Sequence, residues 1–182
     1  MRRALLAARD ELGVDLLVAS GGISVGDHDL VLPALEGLGF ELGFRRLRLR
    51  PGRPTTFGLL PRSSDASERP LPVLALPGNP ASTFVTFELF ARPLIRALAG
   101  LPERAWSRPT RVVELAEPTR GSPRRTHYVR ARWTEDGRAA PLSKQLSGAL
   151  RSIAYADLLL HVPEDRGEVP AGERLSAVIL RE

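Results

Sequence analysis

Apolar and polar positions alternate with two different textures along the chain, and the change falls near residue 102. In the first part, blocks of helical period alternate with blocks of strand character. Residues 1–13 set Leu5, Ala8 and Leu12 near one face of a helix, and Gly13 stops it. The run Asp15-Leu16-Leu17-Val18-Ala19-Ser20 is short, apolar and bounded by turn residues, which predicts a strand buried on both faces of a parallel sheet. Residues 29–38 read as a helix between Asp29 and Gly39, residues 40–49 alternate as a strand, and residues 55–60 and 71–76 give two more. The polar, Pro- and Ser-rich residues 61–70 form a surface loop between them. A long helix runs from Asn79, its N-cap, to about Ala99, with Pro80 in the first turn and Pro93 as a kink. Strands alternating with helices indicate an α/β domain over residues 1–101. Beyond it, short strand-like runs at 110–115, 126–134, 157–163 and 174–180, separated by Gly and Pro, predict a small all-β barrel or sandwich over residues 102–182.

Composition narrows the function classes. The 182 residues are 43% apolar and 26% charged, enough to bury a core and too apolar for wholesale disorder. Cysteine is absent, which excludes disulfides, thiolate metal sites and cysteine nucleophiles. The three histidines (His28, His127, His161) are far apart, which argues against a histidine metal cage. No apolar run reaches the ~20 residues of a membrane span, and Arg9, Asp10 and Glu11 interrupt the N-terminal apolar run too early for a secretory signal. A soluble cytoplasmic protein with no membrane partner is expected. The net charge is +5, carried by 25 Arg and one Lys, a bias that fits coding pressure from a GC-rich genome. It makes anionic partners credible without selecting one. Dispersed arginines, only ten aromatic side chains and no stacking motif argue against nucleic acid.

Four stretches carry candidate chemistry. Ser20-Gly21-Gly22-Ile23-Ser24-Val25-Gly26 is a Gly-rich turn directly after a strand, where open α/β folds bind ligands. Paired glycines let a backbone approach a phosphate or a flat ring, although an ordinary strand-to-helix loop explains them too. Asp27 and Asp29 follow at a helix start, as caps or, for Asp29, as a Mg²⁺ ligand completed by substrate oxygens. Arg46, Arg48 and Arg50 would share one strand face, solvated or facing an anion, and Pro51-Gly52-Arg53-Pro54 adds another Arg at a rigid turn. Pro77-Gly78-Asn79-Pro80 ends a strand and opens a helix, a structural cap that would also offer N–H groups to an anion.

In this order and spacing, Ser20–Asp29, Arg50–Pro54 and Leu76–Pro80 resemble the molybdopterin molybdenumtransferase family, of MoeA and gephyrin type. Gln145-Leu146-Ser147-Gly148-Ala149-Leu150-Arg151-Ser152 and Pro163-Glu164 resemble stretches of its C-terminal domain. The resemblance implies a partial three-layer α/β/α molybdopterin-binding domain followed by the family's small β-barrel. It places the chain in the C-terminal part of the family, without the elongated N-terminal region, the first strands and their acidic motif. The implied reaction inserts molybdate into adenylylated molybdopterin with release of AMP and uses Mg²⁺. The alternative is a non-catalytic molybdopterin-binding or scaffold fragment that needs a complementing N-terminal chain. The full-length family is expected to form a homodimer. Carried over by motif, Asp29 would act beside the metal and the reacting phosphate, and Arg46 and Arg50 would attract molybdate. Gly21, Gly22, Ser24, Gly26, Arg53, Pro77, Gly78, Asn79, Pro80 and Ser147 would contact the pterin and phosphate parts.

Overall fold

The structure, a computed structural model, describes residues 1–23, 30–62 and 69–182. In chain order the first half runs α1 (Arg2–Asp10), β1 (Leu17–Ser20), α2 (Val31–Glu36), β2 (Glu41–Arg45), β3 (Leu49–Arg50), β4 (Thr56–Leu60), β5 (Leu71–Leu76), α3 (Pro80–Thr86), a π-helical turn (Phe87–Ala91) and α4 (Arg92–Leu98). The strands β1-β5-β4-β2 make one sheet in that order, parallel only between β1 and β5. Alternation along β5 sends Val73 and Ala75 to one face, with Leu5 of α1 and Val31, Leu32 and Leu35 of α2. Leu74 and Leu76 go to the other, with Ala91 and Phe90 of the π turn. Helices therefore cover both faces, as the three-layer expectation required.

Four expectations change. The sheet is mixed, and β1 is its edge strand, so Val18 is 39% exposed rather than buried on both faces. Helix α1 ends at Asp10, which leaves Leu12 outside its buried face. The strand expected over 40–49 breaks after Arg45, because Arg46 takes a left-handed backbone (φ +61°). Arg46, Arg48 and Arg50 therefore do not share a strand face. The long helix is not simply kinked: the π turn lies just before Pro93, whose ring and missing N–H disturb the preceding α-helical ladder.

The second half forms β6 (Thr110–Glu114), β7 (Thr119–Arg120), β8 (Thr126–Trp133), β9 (Ala139–Pro141), α5 (Leu150–Ala154), β10 (Leu158–Val162), β11 (Glu168–Val169) and β12 (Arg174–Ile179). Its main sheet runs β3-β8-β10-β12-β6, with β9 also on β8, so two residues of the first half are built into it. The inward positions Val129, Ala131, Leu158, Leu160, Leu175, Ala177 and Ile179 make its core. The expected barrel is not closed by a strand ladder. β9 is three residues long, and only a single bridge, Leu115 to Ala139, spans the gap to the end of β6.

The two halves meet through α3. Val85 is fully buried with Leu159 of β10, Ala156 and Leu180, flanked by Phe84, Tyr128 and Val178. These β residues lie on the face opposite the inward core, so the outer face of the second sheet is the floor under α3. Glu88 completes the junction. Its carboxylate, 7% exposed, accepts two hydrogen bonds from Arg108 at 2.9 and 3.1 Å, and Arg108 also donates to the Leu180 carbonyl at 3.1 Å. Arg92 stands 3.7 Å away. Removing Arg108 would take two charged hydrogen bonds from the buried carboxylate and leave it with Arg92 alone. Arg108→Ala is expected to lower unfolding stability by about 2 kcal/mol in urea titration, whereas Arg111→Ala, at the exposed pair with Glu182, changes it by less than about 1 kcal/mol.

Candidate functional site

β1 and β5 are parallel neighbours, so their carboxyl ends release two loops side by side. The Gly21 N–H donates to the Leu76 carbonyl at 3.0 Å, and the Ser20 hydroxyl reaches the Pro77 carbonyl at 3.4 Å. The loops touch at glycine: a Cβ on Gly78 would lie 3.2 Å from the Gly21 Cα, and Gly21 itself has φ +84°. Close approach and left-handed backbone both favour glycine there. Thr83 of α3 ties the second loop down, its hydroxyl hydrogen-bonding the Pro77 carbonyl and lying 3.1 Å from that of Asn79.

The opening of α3 also receives a loop from the second half. Asn79 is the N-cap residue and Pro80 takes the first helical position, as expected, but the Asn79 side chain does not cap the helix. Its amide nitrogen donates to the Ser147 hydroxyl at 3.2 Å. The Ser147 carbonyl accepts the Ala81 N–H at 2.9 Å, so this N–H, expected to be open to an anion, is already paired. The turn Pro51–Pro54 packs on the next turn of the same helix: a Cβ on Gly52 would fall 2.4 Å from the Thr86 methyl. Thr55 closes that turn with a 2.7 Å hydrogen bond to the Gly52 carbonyl.

The structure thus gathers Gly21, the Pro51–Pro54 turn, Pro77, Gly78, Asn79, Pro80 and Ser147 around one helix. Gly22 adjoins Gly21, and its carbonyl accepts the Val31 N–H that starts α2. Arg53 is exposed beside Gly52. Arg50, also exposed, lies on β3 opposite His127. Arg46 stands exposed in the bend between β2 and β3, apart from this strand, while Arg48 faces Glu164 at 3.3 Å. Ser24, Gly26 and Asp29 lie outside the described residues. Among the described residues no group of three His, Asp or Glu is placed to hold a metal ion.

Two residues that the sequence did not single out are buried on β8, one of them at the junction. Arg130 is fully buried on the outer face of β8, where it pairs with Leu159. Its Nη2 donates to the carbonyls of Lys144 and Leu146 at 3.3 and 3.2 Å, while Nε and Nη1 have no partner among the described residues. Burial pushes its pKa below the usual arginine value. His127, three residues earlier on β8 and on the opposite, core-side face, is buried and donates from Nδ1 to the Arg120 carbonyl at 3.0 Å. Burial, aided by the positive charges of Arg50, Arg130 and Arg125, pushes its pKa down to about 4. The strand period of 126–134 placed Arg130 opposite the core-facing residues, which in a lone sheet would mean solvent; nothing in the sequence marks that face as covered by α3.

Comparison with known proteins decides the family. Residues 1–97 match the model of a probable molybdopterin binding domain, and residues 112–180 that of the MoeA C-terminal region, domain IV. The chain belongs to the molybdopterin molybdenumtransferase family. It is 38% identical over 174 residues to the molybdenum cofactor synthesis protein cinnamon of Drosophila melanogaster, covering 92% of this chain and 28% of that one. With a molybdopterin molybdenumtransferase of Synechococcus elongatus it shares 34% over 161 residues, 88% of this chain and 37% of the relative. A molybdopterin biosynthesis moea protein from Pyrococcus horikosii superposes with a TM-score of 0.71 at 26% identity, over 92% of this chain and 38% of that structure. The chain therefore spans about a third of the length of these relatives and corresponds to their C-terminal part.

His127 gives the second half a pH dependence. A group whose pKa falls from 6.5 unfolded to about 4 folded binds its proton in the unfolded chain first. Its contribution is fully present above pH 6.5 and is lost as the pH falls towards 4, up to about 3 kcal/mol. Urea titrations between pH 7.5 and 4 are expected to show this loss in the wild type and a smaller one in His127→Gln; superimposable pH profiles would exclude the assignment.

Proposed function

We propose that the chain carries the molybdopterin- and molybdate-handling part of a molybdenum-insertion enzyme, which takes adenylylated molybdopterin and molybdate and releases AMP. The observation that carries this reading is the convergence on α3 of four segments far apart in sequence: Gly21-Gly22, Pro51–Pro54, Pro77–Pro80 and Ser147. The family matches, which end at residue 97 and resume at 112, support a division near residue 101 into a molybdopterin-binding domain and a C-terminal β domain.

Each residue has a chemical task in this scheme. The Gly21-Gly22 and Pro77–Pro80 loops admit the flat pterin and its phosphate close to the backbone. Arg50 and Arg53 frame the Pro51–Pro54 turn with positive charge for a tetrahedral dianion, with Arg46 further out as an attractor. Arg130, fully buried and out of reach of a substrate, adds positive charge at the junction, where charge is weakly screened. Exposed donors such as Arg50 and Arg53 would stabilise charge that develops on the transferring oxygens. Mg²⁺ uses one or two carboxylates plus substrate oxygens, so Asp29 alone would suffice as its protein ligand; the bound ion neutralises phosphate charge. The protein would act in the cytoplasm, as a homodimer when full length.

The test supplies adenylylated molybdopterin, molybdate and Mg²⁺ to the chain, with and without the N-terminal region of a relative, and measures AMP. AMP release supports the enzyme reading. Molybdopterin binding with no AMP under either condition supports the scaffold alternative, and no binding of either ligand contradicts both. Within an active preparation, Arg50→Ala is expected to weaken molybdate use about 10- to 100-fold, the loss of one or two charged hydrogen bonds, while pterin affinity changes little. Arg46→Ala is expected to act in the same direction but more weakly; equal loss of both affinities would mean these arginines only hold the fold.

A further inference from the structure

The edge of β8 away from β10 is shared unequally. β3 pairs with it at Thr126 and His127, and β9 at Ala131–Trp133, which leaves the backbone of Arg130 between two neighbours. The side chain of Gln145 occupies that place. Its Oε1 accepts the Arg130 N–H at 3.1 Å, and its Nε2 donates to the Arg130 carbonyl at 2.8 Å. The Leu142 N–H also reaches the Arg130 carbonyl at 2.9 Å, so the β9 ladder continues to this pair, and Gln145 bridges the Arg130 N–H and the Leu142 carbonyl, which would otherwise bond each other. The second hydrogen on Nε2 goes to the Leu142 carbonyl at 2.7 Å, so the amide is fully engaged. From the other side, the Arg130 guanidinium holds the carbonyls of Lys144 and Leu146. The next residue is Ser147, whose carbonyl and hydroxyl meet Ala81 and Asn79 across the junction.

We infer that Gln145 is a positioning residue: by bridging β8 to Leu142 where the β9 ladder ends, it sets the register of residues 142–147 and so delivers Ser147 to the opening of α3. Its catalytic meaning rests on the function proposed above; its structural meaning does not. An apolar side chain at 145 would fill space but leave the Arg130 backbone and the Leu142 carbonyl without these partners. A glutamate would accept one bond and turn an oxygen towards two carbonyls that need a donor. Neither holds the loop in register.

The Ala81 N–H lies in the first turn of α3, has no partner within the helix, and bonds the Ser147 carbonyl. Its hydrogen exchange therefore reports the Ser147 contact directly. In the full chain, Gln145→Ala is expected to speed Ala81 exchange at least about tenfold, with the amides of the β10–β12 ladder unchanged, and to weaken molybdate binding by a similar factor in calorimetry. Gln145→Met, which keeps length without the amide, should behave alike, and serves if the alanine variant does not fold. Gln145→Glu should be no better. Ser147→Ala, which keeps the carbonyl, should leave Ala81 protected. Unchanged Ala81 exchange in Gln145→Met overturns the inference, and so does fast exchange with wild-type molybdate affinity, which would make Gln145 a loop tie without consequence for the site. If wild-type protein binds no molybdate while Ala81 exchange still responds to Gln145, the proposed function fails and the positioning role stands.

Discussion

The burial of Val85 between the two halves is the constraint on which the rest of the arrangement depends. Full burial of a valine side chain is worth roughly 1.5–3 kcal/mol, and its neighbours Phe84, Leu159 and Tyr128 add to the same cluster. The energy matters less than the geometry. Helix α3 is fixed below by an apolar floor from the second sheet and at its start by the end of β5. A helix held at two places cannot slide, so whatever attaches to it inherits a fixed position. The proline turn and the Ser147 loop attach to it directly, and the first loop attaches to the β5 end and Gly78 just before it. Glu88 and Arg108 secure the far end with a pair that no solvent can easily replace.

The same constraint accounts for features that look like exceptions. Asn79 gives up the capping bond usual for its position because Ser147 is delivered to it from the other half. Arg130 keeps two guanidinium nitrogens without a partner among the described residues, in a buried place where that is costly. β3, only two residues long, leaves the first sheet to pair with β8 and thereby brings Arg50 and the following proline turn to the junction. The site proposed above would thus be a property of the contact between the two halves, since neither sheet carries all of its residues.

Much of the fold was legible because period and punctuation agreed. The strands at 71–76 and 126–134, the start of α3 at Asn79-Pro80 and the change of texture near 102 were all carried by local sequence. The failures share one cause, which is that burial is decided by partners distant in sequence. Leu16-Leu17-Val18-Ala19 has the composition of a central strand, yet β1 is an edge. The Arg46–Arg50 alternation has strand period, yet Arg46 adopts a left-handed turn to free β3 for another sheet. Arg130 and Gln145 gave no local signal, because their importance comes from α3 covering a face that the strand pattern alone assigns to solvent. The glycine and proline motifs stand out in the sequence by their places at strand ends and helix starts, the family resemblance joins them into one candidate site, and the structure supplies the reason that they lie together.

The central claim is that the segments gathered around α3 form one anion-accepting site in a protein whose 25 arginines could bind anions in many places. Anomalous scattering at the molybdenum edge from crystals soaked in molybdate separates these alternatives. The account predicts a dominant molybdenum peak at the junction, beside Ser147 and the Pro51–Pro54 turn. A dominant peak elsewhere, or weak peaks scattered over surface arginines with none at the junction, would contradict it.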